Sequence, residues 1–338
     1  MTSSFVAPQY LLPYPLAVSD YRSVVNAAGT GAIFERSIVA NGKASDAQLY
    51  SLTLTGNSDC TVTAGTPQIF LTGSGAPPSS TRPDWSWQAA GPSAGMVGFT
   101  WGVSQVFSVG TVPETGGDSA VLLSGTQGMY YPTWMPSGDI AAMSTQIGKP
   151  RPNTTMISID GTVLATDLAG PNWWAGMPSV NPMNGDQIVF AGQTVSTGGH
   201  YDEDFNYIWL LDQSASMTTC TPLESGCPSS GKFNRNFQGR APWWSPDGNW
   251  VVFESNRASP TGLYSIYLYE VGGTAGAIQL TDPVYNMNHA KWFPFGFPGY
   301  SSGCPTLIVA AYQTQSGGTI AWPYGLATLD LSSYVSST

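Results

Sequence analysis

Short apolar runs, each closed by Gly, Pro, Asn, Asp or Ser, follow one another along the chain. Runs of this length bounded by turn residues predict β-strands rather than helices. The pattern is clearest between Arg240 and Arg257. There Trp244-Ser-Pro-Asp-Gly248 places an inward aromatic at a strand end and follows it with a tight turn. Proline presets the turn's φ, and Asp and Gly accept the remaining geometry. Four strands are expected in this unit: Ala241–Ser245, Trp250–Glu254, Ser265–Tyr269 and Ala277–Leu280, with strong β propensity from Tyr264 to Tyr269.

The same signal recurs in weaker form. Pro132-Thr-Trp134-Met-Pro136-Ser-Gly138 aligns with Pro242-Trp-Trp244-Ser-Pro246-Asp-Gly248, and Pro178-Ser-Val180-Asn-Pro182 is a looser copy. Pro83-Asp-Trp85-Ser and Ala290-Lys-Trp292-Phe-Pro294 keep parts of it. The anchors at 85, 134, 180, 244 and 292 are separated by 49, 46, 64 and 48 residues, and Tyr21–Val25 opens one earlier unit. Four-stranded units repeated every ~40–50 residues predict a β-propeller. The fold expected is therefore all-β: a six-bladed β-propeller with four antiparallel strands per blade. It forms a single domain over 1–338, with blades near 20–80, 81–128, 129–175, 176–238, 239–287 and 288–338. Residues 5–16, apolar and proline-punctuated, are expected to add an edge strand to the last blade and so close the ring.

These motifs resemble those of the TolB-like propeller family, whose WD40-like repeats carry a Pro-x-Trp-Ser-Pro-Asp-Gly core and a downstream Ser-Asn-Arg, here Ser255-Asn256-Arg257. The fifth unit fits well, the third moderately and the others in outline. The resemblance implies a fold rather than an activity. Such blades serve as translocation-associated scaffolds, peptidase accessory domains and polysaccharide lyases.

Composition narrows the partners. Only 9% of residues are charged and the net charge is −10, so the clustered Lys and Arg needed to neutralise nucleic-acid phosphates are missing. No apolar run reaches the ~18 residues of a membrane-spanning helix. Few charges, abundant Ser, Thr and Gly, and four cysteines point to an extracellular or periplasmic protein. No signal peptide is visible at Met1, so a leader removed beforehand or another export route is expected. Cys220 and Cys227 enclose a short loop and are expected to bridge; Cys60 and Cys304 fall in loops of neighbouring units on one face and form a second expected bridge. Asn153-Thr-Thr155 is an N-glycosylation sequon.

Candidate chemistry gathers on the face formed by between-blade linkers and second-to-third-strand loops. His200 and Tyr201 lie in an insertion beside Asp202, Glu203 and Asp204, a set able to hold calcium, and His289 enters the sixth unit as Arg240 enters the fifth. Trp173 and Trp174, in a linker, could stack on a sugar, ringed by Tyr285, Asn286 and Asn288. Loop residues differ in every unit, which favours one asymmetric site over a ring of equivalent ones. The reading is a non-catalytic recognition module outside the cytoplasm, binding a glycan at the channel mouth. The alternatives are a protein-binding scaffold and a polysaccharide lyase using His and Arg of the same face. A closed ring has no open edge, so a monomer suffices.

Overall fold

Each repeat unit folds as one antiparallel sheet in the computed structural model, which describes residues 5–13, 17–40, 43–103, 106–145, 152–194, 206–214, 219–229, 233–294, 304–313 and 323–335. Six sheets result, with strands in simple meander order. The fifth blade is representative: Arg240–Trp244, Trp250–Ser255, Ser265–Glu270 and Ile278–Gln279, each within about a residue of the strands expected. The first blade adds two short pieces, Lys43–Ala44 and Gln68–Ile69, to its four strands. Among the described residues, no helix is long and apolar enough to cross a membrane.

The first strands of the six blades are Val18–Val25, Ser79–Trp85, Met129–Trp134, Trp173–Asn181, Arg240–Trp244 and Tyr285–Trp292. Each packs against the first strand of the next blade, and the sixth packs against the first, so together they wall a central channel. The apolar core is divided accordingly into six clusters, one at each blade–blade contact. A blade has two faces to bury and can bury them only against its neighbours, which is why the units stack. The repeat's anchor position supplies one side chain to every contact: Trp85, Trp134, Val180, Trp244 and Trp292, with Val25 in the seam between the sixth and first blades. In the turn after Trp244, Gly248 (φ 71°) abuts the Asn181 side chain, and a Cβ there would lie 2.5 Å from Asn181 Oδ1. Glycine is required at that point by both backbone and space.

The N-terminal segment closes the ring as expected. Gln9–Tyr10 is the outer strand of the sixth blade, pairing with Thr328 and Ala327, and the Leu11 N–H donates to Leu326 O at 2.9 Å. Cys60 and Cys304 form a disulfide across the same seam.

Three expectations are corrected. Cys220 and Cys227 are not bridged. Cys220 is held in an outer strand opposite Leu211 and its thiol points to Ala169 O, whereas the Cys227 thiol points to Pro228 O. Burial pushes both thiols up to about 12. The sequon residue Asn153 is buried in a strand, its amide donating to Gly170 O at 2.9 Å, so it presents no free acceptor for a glycan. Arg240, His289 and the Trp173–Trp174 pair lie within first strands rather than in linkers between blades.

Candidate functional site

Every first strand carries a β-bulge at the same level. The register slips between Tyr21 and Ser23, Thr81 and Asp84, Tyr130 and Thr133, Gly176 and Ser179, Arg240 and Trp243, and Asn288 and Lys291. At each slip one residue takes positive φ: Arg22 (35°), Arg82 (52°), Tyr131 (54°), Met177 (52°), Ala241 (47°) and His289 (50°). Such a conformation costs a non-glycine residue about 1–3 kcal/mol and persists only where the surroundings over-determine it. At three of the six the preceding blade supplies an acceptor. The N–H of Arg82 donates to Glu35 Oε1 at 2.5 Å, that of Tyr131 to Thr100 Oγ1 at 3.2 Å, and that of His289 to Glu254 Oε2 at 2.7 Å. Each acceptor stands in the second strand of the blade before. A bulge re-aims its side chain, and all six bulge residues line one cavity in the channel.

The cavity has two unlike walls. Arg22, Arg82, His289 and Lys291 form one; Tyr131, Met177, Trp243 and three prolines dominate the other. Behind the first wall, Glu35 and Glu254 are buried. Arg22 pairs with Glu35 at 3.0 Å and Arg240 with Glu254 at 2.5 Å, while Arg240 also donates to Asn288 Oδ1 at 3.1 Å and lies 3.6 Å from the Tyr264 ring centre. Each glutamate thus holds an arginine of its own blade and a bulge of the next. Lys291 donates to Pro83 O at 2.8 Å, faces Asp84 at 3.8 Å and stands 3.8 Å from the Trp243 ring centre. Burial lowers the Lys291 ammonium to about 8 and raises the Asp84 carboxyl.

His289 is 8% exposed, and its ring meets that of Tyr21 edge-on at 4.8 Å. Its Nε2 accepts from Arg22 Nε at 3.2 Å. Burial, followed by the charges of Arg22, Arg240, Arg82 and Lys291, holds its pKa well below the ordinary value. The imidazole is therefore neutral, with its lone pair engaged. Burial likewise drives the Tyr21 and Tyr324 hydroxyls upward.

Of the residues singled out in the sequence, Arg240, Asn288 and His289 meet in this wall. Asn286 is buried beside them, donating to the Tyr324 hydroxyl at 2.8 Å, and Tyr285 packs into the fifth–sixth blade contact. Trp174 is 4% exposed, and Trp173 packs edge-on against Trp209 at 4.4 Å in the third–fourth blade contact. Neither lines the channel cavity. His200, Tyr201, Asp202, Glu203 and Asp204 lie outside the described residues. Among the described residues there is no group of His, Cys, Asp and Glu suited to a metal ion. Sequence reading missed Arg22, Arg82, Tyr131, Met177 and Lys291. The available signal was position, because Arg82, Tyr131, Met177, Ala241 and His289 each stand three residues before a repeat anchor.

No protein-family model matches the chain, and no curated protein matches it. Solved structures similar to it are propellers. A putative TolB from Agrobacterium tumefaciens is 14% identical, with 98% of this chain and 87% of that one covered and a TM-score of 0.38. TolB from Acinetobacter baumannii is 11% identical, over 93% and 79% of the two chains, with a TM-score of 0.46. The β-propeller domain of the Trilobed protease from Pyrococcus furiosus is 10% identical, over 92% and 95%, with a TM-score of 0.46. The likeness is one of fold.

Proposed function

We propose that this propeller is a recognition module acting outside the cytoplasm, and that it holds a protein partner at its central channel. The reading is carried by the ring of bulges. One structural position, repeated in every blade, bears Arg, Arg, Tyr, Met, Ala and His in turn, which makes a single asymmetric site from a symmetric frame. Charge on one wall and apolar surface on the other suit the mixed character of a protein ligand. The engaged, weakly basic His289 suits binding better than proton abstraction. The Cys60–Cys304 disulfide fits an oxidising compartment. Sugar stacking loses its intended platform, since Trp174 is buried and Trp173 is packed.

Plugging the channel tests this. Met177→Trp keeps a non-glycine residue at φ 52° while filling the cavity. Immobilised wild-type protein should retain a defined partner from an extracytoplasmic extract, and the plugged variant, melting as wild type, should not. Retention equal in both, or binding confined to a glycan array, would overturn the reading.

A further inference from the structure

The chain carries 21 acidic and 11 basic residues, yet three of those basic residues line this cavity and none of its twelve lining residues is acidic. The cations in and behind its wall are not equivalent. Arg22 and Arg240 each have a glutamate, and Lys291 has Asp84. Among the described residues no carboxylate pairs with the Arg82 guanidinium. Glu35, which reaches the Arg82 backbone, is spent on that N–H and on Arg22. The Arg82 guanidinium donates to Thr81 Oγ1 at 3.2 Å and stacks 4.3 Å from the Tyr131 ring centre, and its Nε is buried with no acceptor. The Tyr131 hydroxyl is buried and unpartnered as well. Two orphaned donors on two adjoining residues of one cavity call for a missing acceptor, since a buried donor left unmade costs more than a made bond gains.

We propose that the cavity is a carboxylate site, in which Arg82 and the Tyr131 hydroxyl hold the carboxylate of an apolar-bodied acid. Charge favours an anion. Four cations, Arg22, Arg82, Arg240 and Lys291, stand against three carboxylates, Glu35, Glu254 and Asp84, in and behind the wall. The excess of cations suits a carboxylate. Met177, Pro178 and Trp243 supply an apolar surface in the same cavity for the body of the acid. Arginine's planar fork matches the two oxygens. The acid is either the C-terminus of a polypeptide or a small free acid, and the former deepens the protein-partner reading on which this inference rests.

Calorimetry with the full chain separates these cases. The probes are acetyl-Gly-Gly-Val as free acid, the same peptide amidated, butyrate and inorganic phosphate. The free-acid peptide should bind, and amidation should weaken it about tenfold or more, the loss of a charge-assisted pair. Tyr131→Phe removes only the orphaned hydroxyl and leaves the ring under Arg82, so it should fold as wild type and bind about tenfold more weakly; Arg82→Met should do the same. Butyrate binding as tightly as the peptide assigns the site to small acids, and tighter peptide binding assigns it to chain termini; either supports a carboxylate site. Equal binding of acid and amide, unchanged affinity in Tyr131→Phe, preference for phosphate, or no binding of any probe at about 10 mM overturns it. If Arg82→Met still captures the protein partner that Met177→Trp loses, recognition at the channel stands and the carboxylate assignment alone falls.

Discussion

Cutting the Cys60–Cys304 disulfide should lower the melting temperature by several degrees, and the size of the effect can be worked from the fold. The two cysteines are 244 residues apart and join the first blade to the sixth. In the chain-entropy description a loop of that length restricts the unfolded chain by about 5.5 kcal/mol, a ceiling above the ~2–5 kcal/mol usual for removal of a native bridge. Unfolding entropy of ~2.1 cal/mol/K per residue, over 338 residues, gives roughly 0.7 kcal/mol/K. Each kcal/mol is then worth about 1.4 °C, and the bridge about 3–7 °C. The outer strand that closes the same seam, Gln9–Tyr10, pairs over two residues only, so the bridge adds a covalent tie to a seam otherwise held by its apolar core. The measurement is calorimetric melting of wild type with and without reductant, alongside the Cys60→Ser, Cys304→Ser double variant. Since Cys220 and Cys227 are already thiols, reductant should move wild type to the variant's value and leave the variant unmoved. Melting temperatures agreeing within about 1 °C in all samples would refute the claim that the bridge constrains the seam.

Four other outcomes are expected. Glu254→Ala removes the carboxylate that pairs with Arg240 and the acceptor of the His289 bulge, and should cost about 3–5 kcal/mol in urea unfolding, with Glu254→Gln milder; a loss under about 1 kcal/mol would contradict the role given to the carboxylate. Trp134→Phe should cost about 1 kcal/mol more than Trp244→Phe, because the Trp134 indole N–H donates to Asp84 O at 3.1 Å whereas that of Trp244 is buried without an acceptor; equal costs would count against this. Iodoacetamide without reductant should leave the native protein unlabelled and label two cysteines after unfolding, as read by intact mass; four labels, or none, would contradict the pairing. Lys291 keeps its proton below about 8 in the fold but up to its ordinary 10.5 when unfolded, so between these pH values the unfolded chain binds more protons and stability should rise with pH relative to Lys291→Met; a flat difference would show that the ammonium is not desolvated.

The architecture was legible because blade construction repeats. Proline, tryptophan and the Pro-Asp-Gly turn answer to backbone geometry and blade contact, which every unit shares. The closing strand and the Cys60–Cys304 bridge followed from the same register, since a ring makes neighbours of its first and last units. The channel was not legible for the complementary reason. Its residues occupy a repeated backbone position but share no chemistry, so no motif marks Arg22, Arg82 or Lys291. Positive φ is ordinarily signalled by glycine, and none of the six bulge residues is one. The bulge also breaks strand alternation, and for that reason Arg240 and His289 read as linker. Cys220 and Cys227 misled through proximity in sequence: a strand ladder fixes the first, and the thiols face different carbonyls.

The ring of bulges separates what must be kept from what can vary. Its backbone is held by strand pairing and, at three positions, by acceptors on the preceding blade, and six different side-chain positions satisfy it with five residue types. Substitution there can redraw the channel while the six blade–blade cores stay intact. Specificity can therefore drift faster than the fold that carries it, so that one frame can answer to quite different ligands. For protein engineering the same six positions form a compact library, small enough to randomise together and absent from the six apolar clusters.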